Sequence, residues 1–180
     1  IGMVTYRCIL ESKTDWDSYE NSWDFTYHPL VEDVMYHTPT TTKLITISDT
    51  YHSWVSECEQ RFFNLKANEE ELNRIFIDIY GLQDELTPEV LERDVTVHRV
   101  FDSKEDVPES MKGSAYIRTR RDEIVSLLSY AVGCMFGRYS LDTEGLAYAG
   151  GEWDDSKYDK FKPDANSIIP ITDEAYLEDD

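Results

Sequence analysis

Three arginines, Arg118, Arg120 and Arg121, are the side chains in this sequence best suited to contact a ligand. They lie within residues 110–140, a stretch in which basic residues outnumber acidic ones by five to two. Guanidinium groups bind phosphate oxygens through charge-assisted hydrogen bonds, so the cluster predicts a local phosphate contact. The alternative is that these arginines pair with acids of the same helix and with water, which requires no ligand.

The sequence predicts no catalytic, cofactor-binding or metal-binding residue. The phosphate-binding loop, the nucleophile elbow and the zinc-protease motif are all absent from it. Glu89, Asp102 and Lys104 match a metal-dependent nuclease template only loosely, as chance allows in so acidic a chain. Histidines and cysteines lack the spacing of metal ligands: His28, His37, His52, His98, Cys8, Cys58 and Cys134. The odd number of dispersed cysteines favours a reduced, cytoplasmic protein.

The composition predicts a globular and strongly acidic protein. Among 180 residues, 17 are Lys or Arg and 37 are Asp or Glu, which gives a formal net charge of -20. The content of 41% hydrophobic and 13% aromatic residues differs from that of disordered chains. A surface of this charge repels the nucleic-acid backbone, which disfavours autonomous non-specific binding. No apolar run is long enough to span a bilayer, so we expect no membrane contact.

Apolar periodicity predicts a mainly α fold, a helical bundle or hairpin with long irregular segments and at most a small β element. One stripe runs from Ser48 to Lys66 and a second over residues 68–80, ending at Gly81. The two-residue joint between them allows either an antiparallel hairpin or one long bent helix. Thr87 followed by proline predicts a short third helix. The broad apolar face of residues 116–138 predicts a helix that is largely buried.

The remaining segments carry weaker signals. Residues 1–45 are expected to be irregular, except for a short helix that places the rings of Trp16, Tyr19 and Trp23 on one face. Residues 95–101 predict a strand, whose partner we expect in the N-terminal region or in a part of the protein outside this chain.

Glycines and proline-containing turns shape the end of the chain. Gly133 and Gly137, four residues apart, predict the close approach of a partner helix or strand. The tail of residues 141–180 is turn-rich and acidic, with a further helix start at residues 172–174. We therefore divide the chain into segments 1–45, 46–140 and 141–180. They are expected to form one domain cut from a longer protein.

Four strings of residues resemble the PglX family. They are LKANEEELNRIFIDIYGLQDEL at 65–86, YAVGCMFGRYSLD at 130–142, TDWDSYENSWDF at 14–25 and IIPITDE at 168–174. Members of this family are large adenine-specific DNA methyltransferases of BREX phage-defence systems, related to type IIG restriction-modification enzymes. The resemblance spans nearly the whole chain.

The resemblance implies a parent enzyme that transfers a methyl group from S-adenosylmethionine to adenine N6. The catalytic motif of such enzymes contains two adjacent prolines. No two prolines are adjacent in this chain, so no catalytic residue of the family can be placed on it and no cofactor is expected to bind it. The segment resembles the region between the methyltransferase core and the target-recognition part.

Two functions follow as hypotheses. In the first, the chain is a non-catalytic helical connector, whose partners are the remaining domains of the methyltransferase and, through them, DNA. In the second, the chain is an acidic module that docks other defence proteins. The first predicts that its apolar helix faces are covered within the parent protein, and the second predicts an exposed patch in the complete enzyme. A third hypothesis, DNA binding by the chain alone through its arginine cluster, conflicts with the overall charge.

Overall fold

The computed structural model describes residues 1–31 and 46–164. Within these ranges it contains three complete α-helices, α1 (Gly2–Asp17), α2 (Ile47–Tyr80) and α3 (Arg120–Met135), and two short strands, β1 (Arg99–Phe101) and β2 (Ile117–Thr119); residues 29–31 are also helical. Single 3-10 turns lie at Glu92–Asp94, Lys104–Asp106, Glu109–Met111 and Asp155–Lys157. The mainly α prediction with a small β element is confirmed. The chain divides into two units, Ile1–Tyr130 and Ala131–Asp180.

Helix α1 occupies residues for which the sequence predicts irregular structure. Its inner face carries Val4, Cys8 and Asp15, which recur at the spacing of a helix. The helix ends at Asp17, so the short aromatic helix predicted around residues 16–23 is wrong. Trp23 is 98% exposed, because the turns that follow α1 direct it away from the core.

Helix α2 is continuous over 34 residues, so the alternative of one long helix is the correct one. Thr46 and Asp49 form a capping box at its N-terminus, and Gly81, with φ at +67°, forms its left-handed C-cap. The predicted joint between two helices is absent, and an ion pair between Lys66 and Glu70 links successive turns across this position.

The predicted third helix at Thr87 is wrong. The hydroxyl of Thr87 accepts a hydrogen bond from the Glu89 amide, which forms a local turn. The Val90 amide donates to the carboxylate of Glu70 on α2, at 3.2 Å. These contacts hold the segment against α2 in a non-helical conformation, and the chain continues to the 3-10 turn at Glu92–Asp94.

The two strands pair in parallel, with Arg99 opposite Ile117 and Phe101 opposite Thr119. The predicted strand is confirmed at Arg99–Phe101, but the predicted source of its partner is wrong. Its partner β2 comes from residues assigned by periodicity to the start of the last helix. The Tyr116 carbonyl accepts the Arg99 amide at 2.9 Å, so sheet pairing delays the helix until Arg120.

Helix α2 supplies the core of the first unit at two levels. At each level its side chains pack against residues from the loops and β1. One cluster consists of Leu30, Tyr51, Trp54, Cys58 and Val100, and the other of Phe62, Leu65, Val95, Val97 and Met111. Burial of these side chains stabilises the unit through the hydrophobic effect.

The prediction that the last helix is largely buried is wrong for much of α3. Tyr130 is 2% exposed, whereas Ile124, Val125 and Leu128 each keep about half of their surface in contact with solvent. Two opposite faces of α3 are therefore apolar, and only one of them packs against the chain within the first unit.

In the unit Ala131–Asp180, the glycines of the G-x-x-x-G motif do admit close neighbours. A Cβ at Gly133 would lie 2.5 Å from the Tyr139 ring, and one at Gly137 would lie 2.6 Å from the ring of Trp153. The predicted partner helix or strand is thus replaced by side chains of the following loop. The predicted helix start at residues 172–174 lies outside the described residues.

No helix in the described ranges is both long enough and apolar enough to cross a membrane.

His28 is a buried titratable group in the first unit. Its side chain is 1% exposed, and its Nδ1 accepts the Leu30 amide at 3.2 Å. Its ring lies 6.1 Å from that of Tyr130. Burial, assisted by the positive charge of Arg118, lowers the pKa of His28 from 6.5 to about 4.

We expect this histidine to make stability depend on pH between 6.5 and about 4. In that window the unfolded chain binds a proton that the folded chain does not, so the free energy of unfolding falls as pH falls, by at most about 3 kcal/mol. His28→Asn keeps a hydrogen-bond acceptor but cannot titrate, and it should flatten this dependence. Urea unfolding at several pH values measures the slope of the free energy of unfolding against pH for the unchanged chain and for the variant. Equal slopes would contradict the role of His28 in this dependence.

Candidate functional site

The charged groups most capable of chemistry form a closed series of contacts inside the first unit, which we call the polar ring. Its seven members are Asp15, Arg61, Trp54, Glu123, Arg118, Tyr19 and His98. Each side chain contacts the next in this order, and His98 contacts Asp15 again.

Asp15 organises one side of the polar ring. Its carboxylate is 4% exposed, accepts the backbone amide of His98 at 3.0 Å and lies 2.8 Å from Nδ1 of the same residue. Arg61 on α2 brings a guanidinium nitrogen to 3.6 Å from this carboxylate. Asp15 thereby joins α1, α2 and the residue that precedes β1.

Glu123 organises the opposite side, and its carboxylate is 1% exposed. Arg118 on β2 donates to one oxygen at 2.5 Å, and the indole nitrogen of Trp54 on α2 donates to the other at 3.1 Å. Both carboxylate oxygens therefore have a donor, as a buried charge requires.

Aromatic rings connect the two sides. Tyr19 lies edge-on to His98, with ring centres 4.8 Å apart, and the guanidinium of Arg118 lies 4.5 Å from the centre of the Tyr19 ring. The guanidinium of Arg61 lies 5.2 Å from the ring of Trp54. Cation–π contacts of this kind, in addition to the ion pairs, hold the guanidinium groups in place.

The polar ring is electrically balanced and poorly suited to catalysis. Two carboxylates face two guanidinium groups, and the Glu123 carboxylate raises the pKa of Arg118 against the opposing effect of burial. Burial raises the pKa of the Tyr19 phenol, which stays uncharged. The nearby thiol of Cys58 is fully buried and its pKa is also raised by burial, so it does not supply the nucleophilic thiolate. The arrangement fits a structural role.

The polar ring is not predictable from local sequence, because its members are distant along the chain. His98 has no acidic partner near it in sequence, yet Asp15 precedes it by 83 residues and contacts it. One signal was present: Arg61 lies among the apolar positions of the α2 stripe, three residues after Cys58. A charged residue at such a position needs a buried partner of opposite charge.

The structure separates the three arginines of the predicted phosphate contact. Arg118 is committed to Glu123, whereas Arg120 pairs with Asp102 at 2.5 Å at an exposed position. Arg121 is exposed, and no side chain among the described residues pairs with it. The last two are the first residues of α3, and exposed ion pairs contribute little, so both remain accessible to an anion.

No group of three or more potential metal ligands from His, Cys, Asp and Glu occurs within residues 1–31 and 46–164.

All three helices present apolar side chains to solvent in the first unit, α2 through Phe76, Ile79 and Tyr80 near its C-terminus. On α1 these lie opposite the buried face and comprise Met3, Tyr6, Ile9 and Leu10, all at least half exposed. On α3 they comprise Ile124, Val125 and Leu128. A helix that is apolar on opposite faces is typical of one covered on both sides in a larger protein.

The chain is similar in sequence to segments of two adenine-specific methyltransferases. It is 45% identical over 177 residues to the adenine-specific methyltransferase PglX of Lacticaseibacillus casei (strain Zhang). It is 30% identical over 182 residues to the adenine-specific methyltransferase BrxX of Escherichia coli O9:H4 (strain HS). No family model matches the chain.

These matches cover 98% and 97% of this chain but only 13% and 14% of the two relatives. The resemblance to the PglX family that the sequence analysis identified is thereby confirmed. Nearly the whole chain corresponds to a small segment of much longer proteins.

We expect the ion pair between Arg118 and Glu123 to be strongly coupled. Glu123→Gln leaves the partly buried Arg118 without its counter-ion and should reduce the free energy of unfolding by about 3 kcal/mol. The double variant with Arg118→Met and Glu123→Gln should lose less free energy of unfolding than the two single variants together. The difference, the coupling energy, should be about 1–3 kcal/mol. Urea unfolding of the four chains measures this coupling.

The exposed pair of Arg120 and Asp102 provides the matched control. The corresponding cycle with Arg120→Met and Asp102→Asn should show a coupling below about 1 kcal/mol. Equal couplings in the two cycles would show that the polar ring has no special role in stability.

Proposed function

We propose that this chain is a non-catalytic helical connector in an adenine-specific DNA methyltransferase of a phage-defence system. In this role it positions the catalytic core relative to the part that recognises the DNA target. The parent enzyme is cytoplasmic, and its other domains bind S-adenosylmethionine and DNA. Those domains, and not this chain, carry out the methyl transfer to adenine.

The observation that carries this proposal is the pair of exposed apolar faces on α1 and α3. Burying a large aliphatic side chain stabilises a protein by about 1.5–3 kcal/mol, so these faces are strong sites for contact with neighbouring segments. The segment's small share of its relatives' length supports this, because most of such a chain is available to cover them. The burial of the polar ring favours a scaffold over a reactive site.

A local phosphate contact is proposed for the arginine cluster. Arg120 and Arg121 are exposed at the N-terminus of α3, where the helix dipole favours an anion, and Arg118 on β2 lies two residues before Arg120. The high negative charge of the rest of the chain restricts such a contact to a DNA segment that other domains hold in place.

The second candidate is an acidic module that docks other defence proteins. The formal net charge of -20 favours it, because a surface of this charge attracts basic partners over a distance. The two candidates differ in what the apolar faces contact. A connector buries them within its own chain, whereas a docking module leaves them available in the complete enzyme.

A chimeric enzyme tests the connector. This chain replaces the matching segment of the L. casei relative, and adenine methylation of duplex DNA is measured. We expect the chimera to be active and Leu128→Asp to reduce its activity at least tenfold, because the aspartate places a charge in a domain contact. The isolated chain with Leu128→Asp should unfold at the same urea concentration as the unchanged chain.

Ser129→Asp is the matched control, because it adds the same charge at the next exposed position of α3, towards the edge of the apolar face. Its methylation activity should stay within about twofold of that of the unchanged chimera, since an exposed helix position tolerates such a change. Full activity of the Leu128→Asp chimera would contradict the connector and favour the docking module.

The same chimera tests the phosphate contact. Arg121→Glu should weaken binding to duplex DNA irrespective of sequence and reduce the slope of log affinity against log salt by about one. Arg93→Glu makes the same charge change at an exposed position outside the cluster and should alter neither quantity. Fluorescence anisotropy with labelled DNA at several salt concentrations measures both the affinity and this slope. Identical behaviour of the two variants would remove the contact.

A further inference from the structure

The unit Ala131–Asp180 contains a cleft of about 490 Å³ with aromatic walls. Four rings line it, those of Phe136, Tyr148, Trp153 and Tyr158. The polar ring and the apolar helix faces of the first unit are separate features, and the proposed connector role does not use this cleft.

The aromatic walls are held in fixed positions. Trp153 stacks on Tyr158 with parallel rings whose centres are 4.7 Å apart, and the hydroxyl of Tyr158 donates to the Gly137 carbonyl at 2.6 Å. The indole nitrogen of Trp153 donates to Asp155 at 2.7 Å. Tyr148 meets Trp153 edge-on at 5.2 Å. A cleft whose walls are already ordered loses little freedom when a ligand enters.

Two of these rings remain open to solvent. Trp153 is 45% exposed and Phe136 is 44% exposed. Tyr158 covers one face of Trp153, and the exposed part of the indole is accessible to a ligand. The negative π-face of an indole attracts cations.

The charges around the cleft also favour a cation. Among the described residues, its lining contains the carboxylates of Asp155 and Asp164 and a single cation, Lys162. Two further lysines of this unit are engaged elsewhere, since the ammonium of Lys157 donates to the Ala147 carbonyl and that of Lys160 donates to the Leu141 carbonyl. Anionic ligands such as nucleotides are repelled by this surface and by the overall charge of the chain.

We propose that this cleft binds an arginine side chain presented by a basic peptide segment of a partner protein. The planar guanidinium stacks on the exposed part of the Trp153 indole, and its N–H groups donate to the Asp155 carboxylate. Arginine fits better than lysine because its flat, weakly hydrated group makes both contacts at once. The described cleft together with the chain's acidity therefore defines a docking site for a basic segment.

A labelled octapeptide of alternating glycine and arginine tests the proposal with the full 180-residue chain. Fluorescence anisotropy is measured at low salt and again in half-molar salt, which screens general attraction to an acidic protein. We expect saturable binding that persists in high salt, and at least fivefold weaker binding of the peptide with lysine in place of arginine. Loss of all binding in high salt, or equal affinity for both peptides, would show non-specific attraction and overturn the proposal.

Variants of the lining locate the binding. Trp153→Leu should weaken binding of the arginine peptide at least tenfold, and Phe136→Leu and Asp155→Asn should each weaken it several-fold. The last two retain the Trp153–Tyr158 stack, so they report on the site even if Trp153→Leu disturbs folding of the unit. Unchanged affinity of both Phe136→Leu and Asp155→Asn for the peptide would show that it binds outside the cleft.

Two controls match these changes outside the cleft. Trp23→Leu removes an exposed tryptophan of the first unit, and Asp159→Asn removes a neighbouring charge that does not line the cleft. Both should bind the peptide as the unchanged chain does; a loss as large as that of the lining variants would contradict the site. Competition by adenosine monophosphate would also contradict it, because it would identify a site for nucleobases.

Discussion

The first unit depends on two carboxylates that are removed from water and held by guanidinium groups. Asp15 and Glu123 are buried at opposite sides of the polar ring, and each requires donors from other elements of the fold. A buried ion pair adds little net stability compared with apolar packing, but a buried charge without its partner is strongly unfavourable. The ring therefore specifies one arrangement of α1, α2, the strands and α3 and penalises others.

Much of this architecture follows from local sequence. The apolar stripe of α2 and the glycine at its end are sufficient to predict a helix and its C-terminus, because both signals act within a few residues. Val97, Val100 and Phe101 likewise indicate the strand region. The strings that resemble the PglX family identify the relatives without any knowledge of the fold.

The other features depend on contacts between distant residues. The helix expected at Thr87 is replaced because Val90 donates to Glu70, twenty residues earlier, and β2 forms because β1 is available to pair with it. The contact between Trp54 and Glu123 joins residues 69 apart. Local propensity contains no information about such partners. It is therefore reliable for α2 and fails where tertiary contacts decide between helix, strand and turn.

Helix α2 has a mechanical consequence that follows from its length. Its 34 residues span about 50 Å, and seven of its eight buried side chains lie between Thr50 and Leu65, with Ile77 the single buried residue beyond. The distal part is a rigid arm of about 22 Å, and a tilt of about 10° at the core moves its tip by about 4 Å. A rotation of this size at the polar ring would therefore displace the tip of α2 by most of one helical turn.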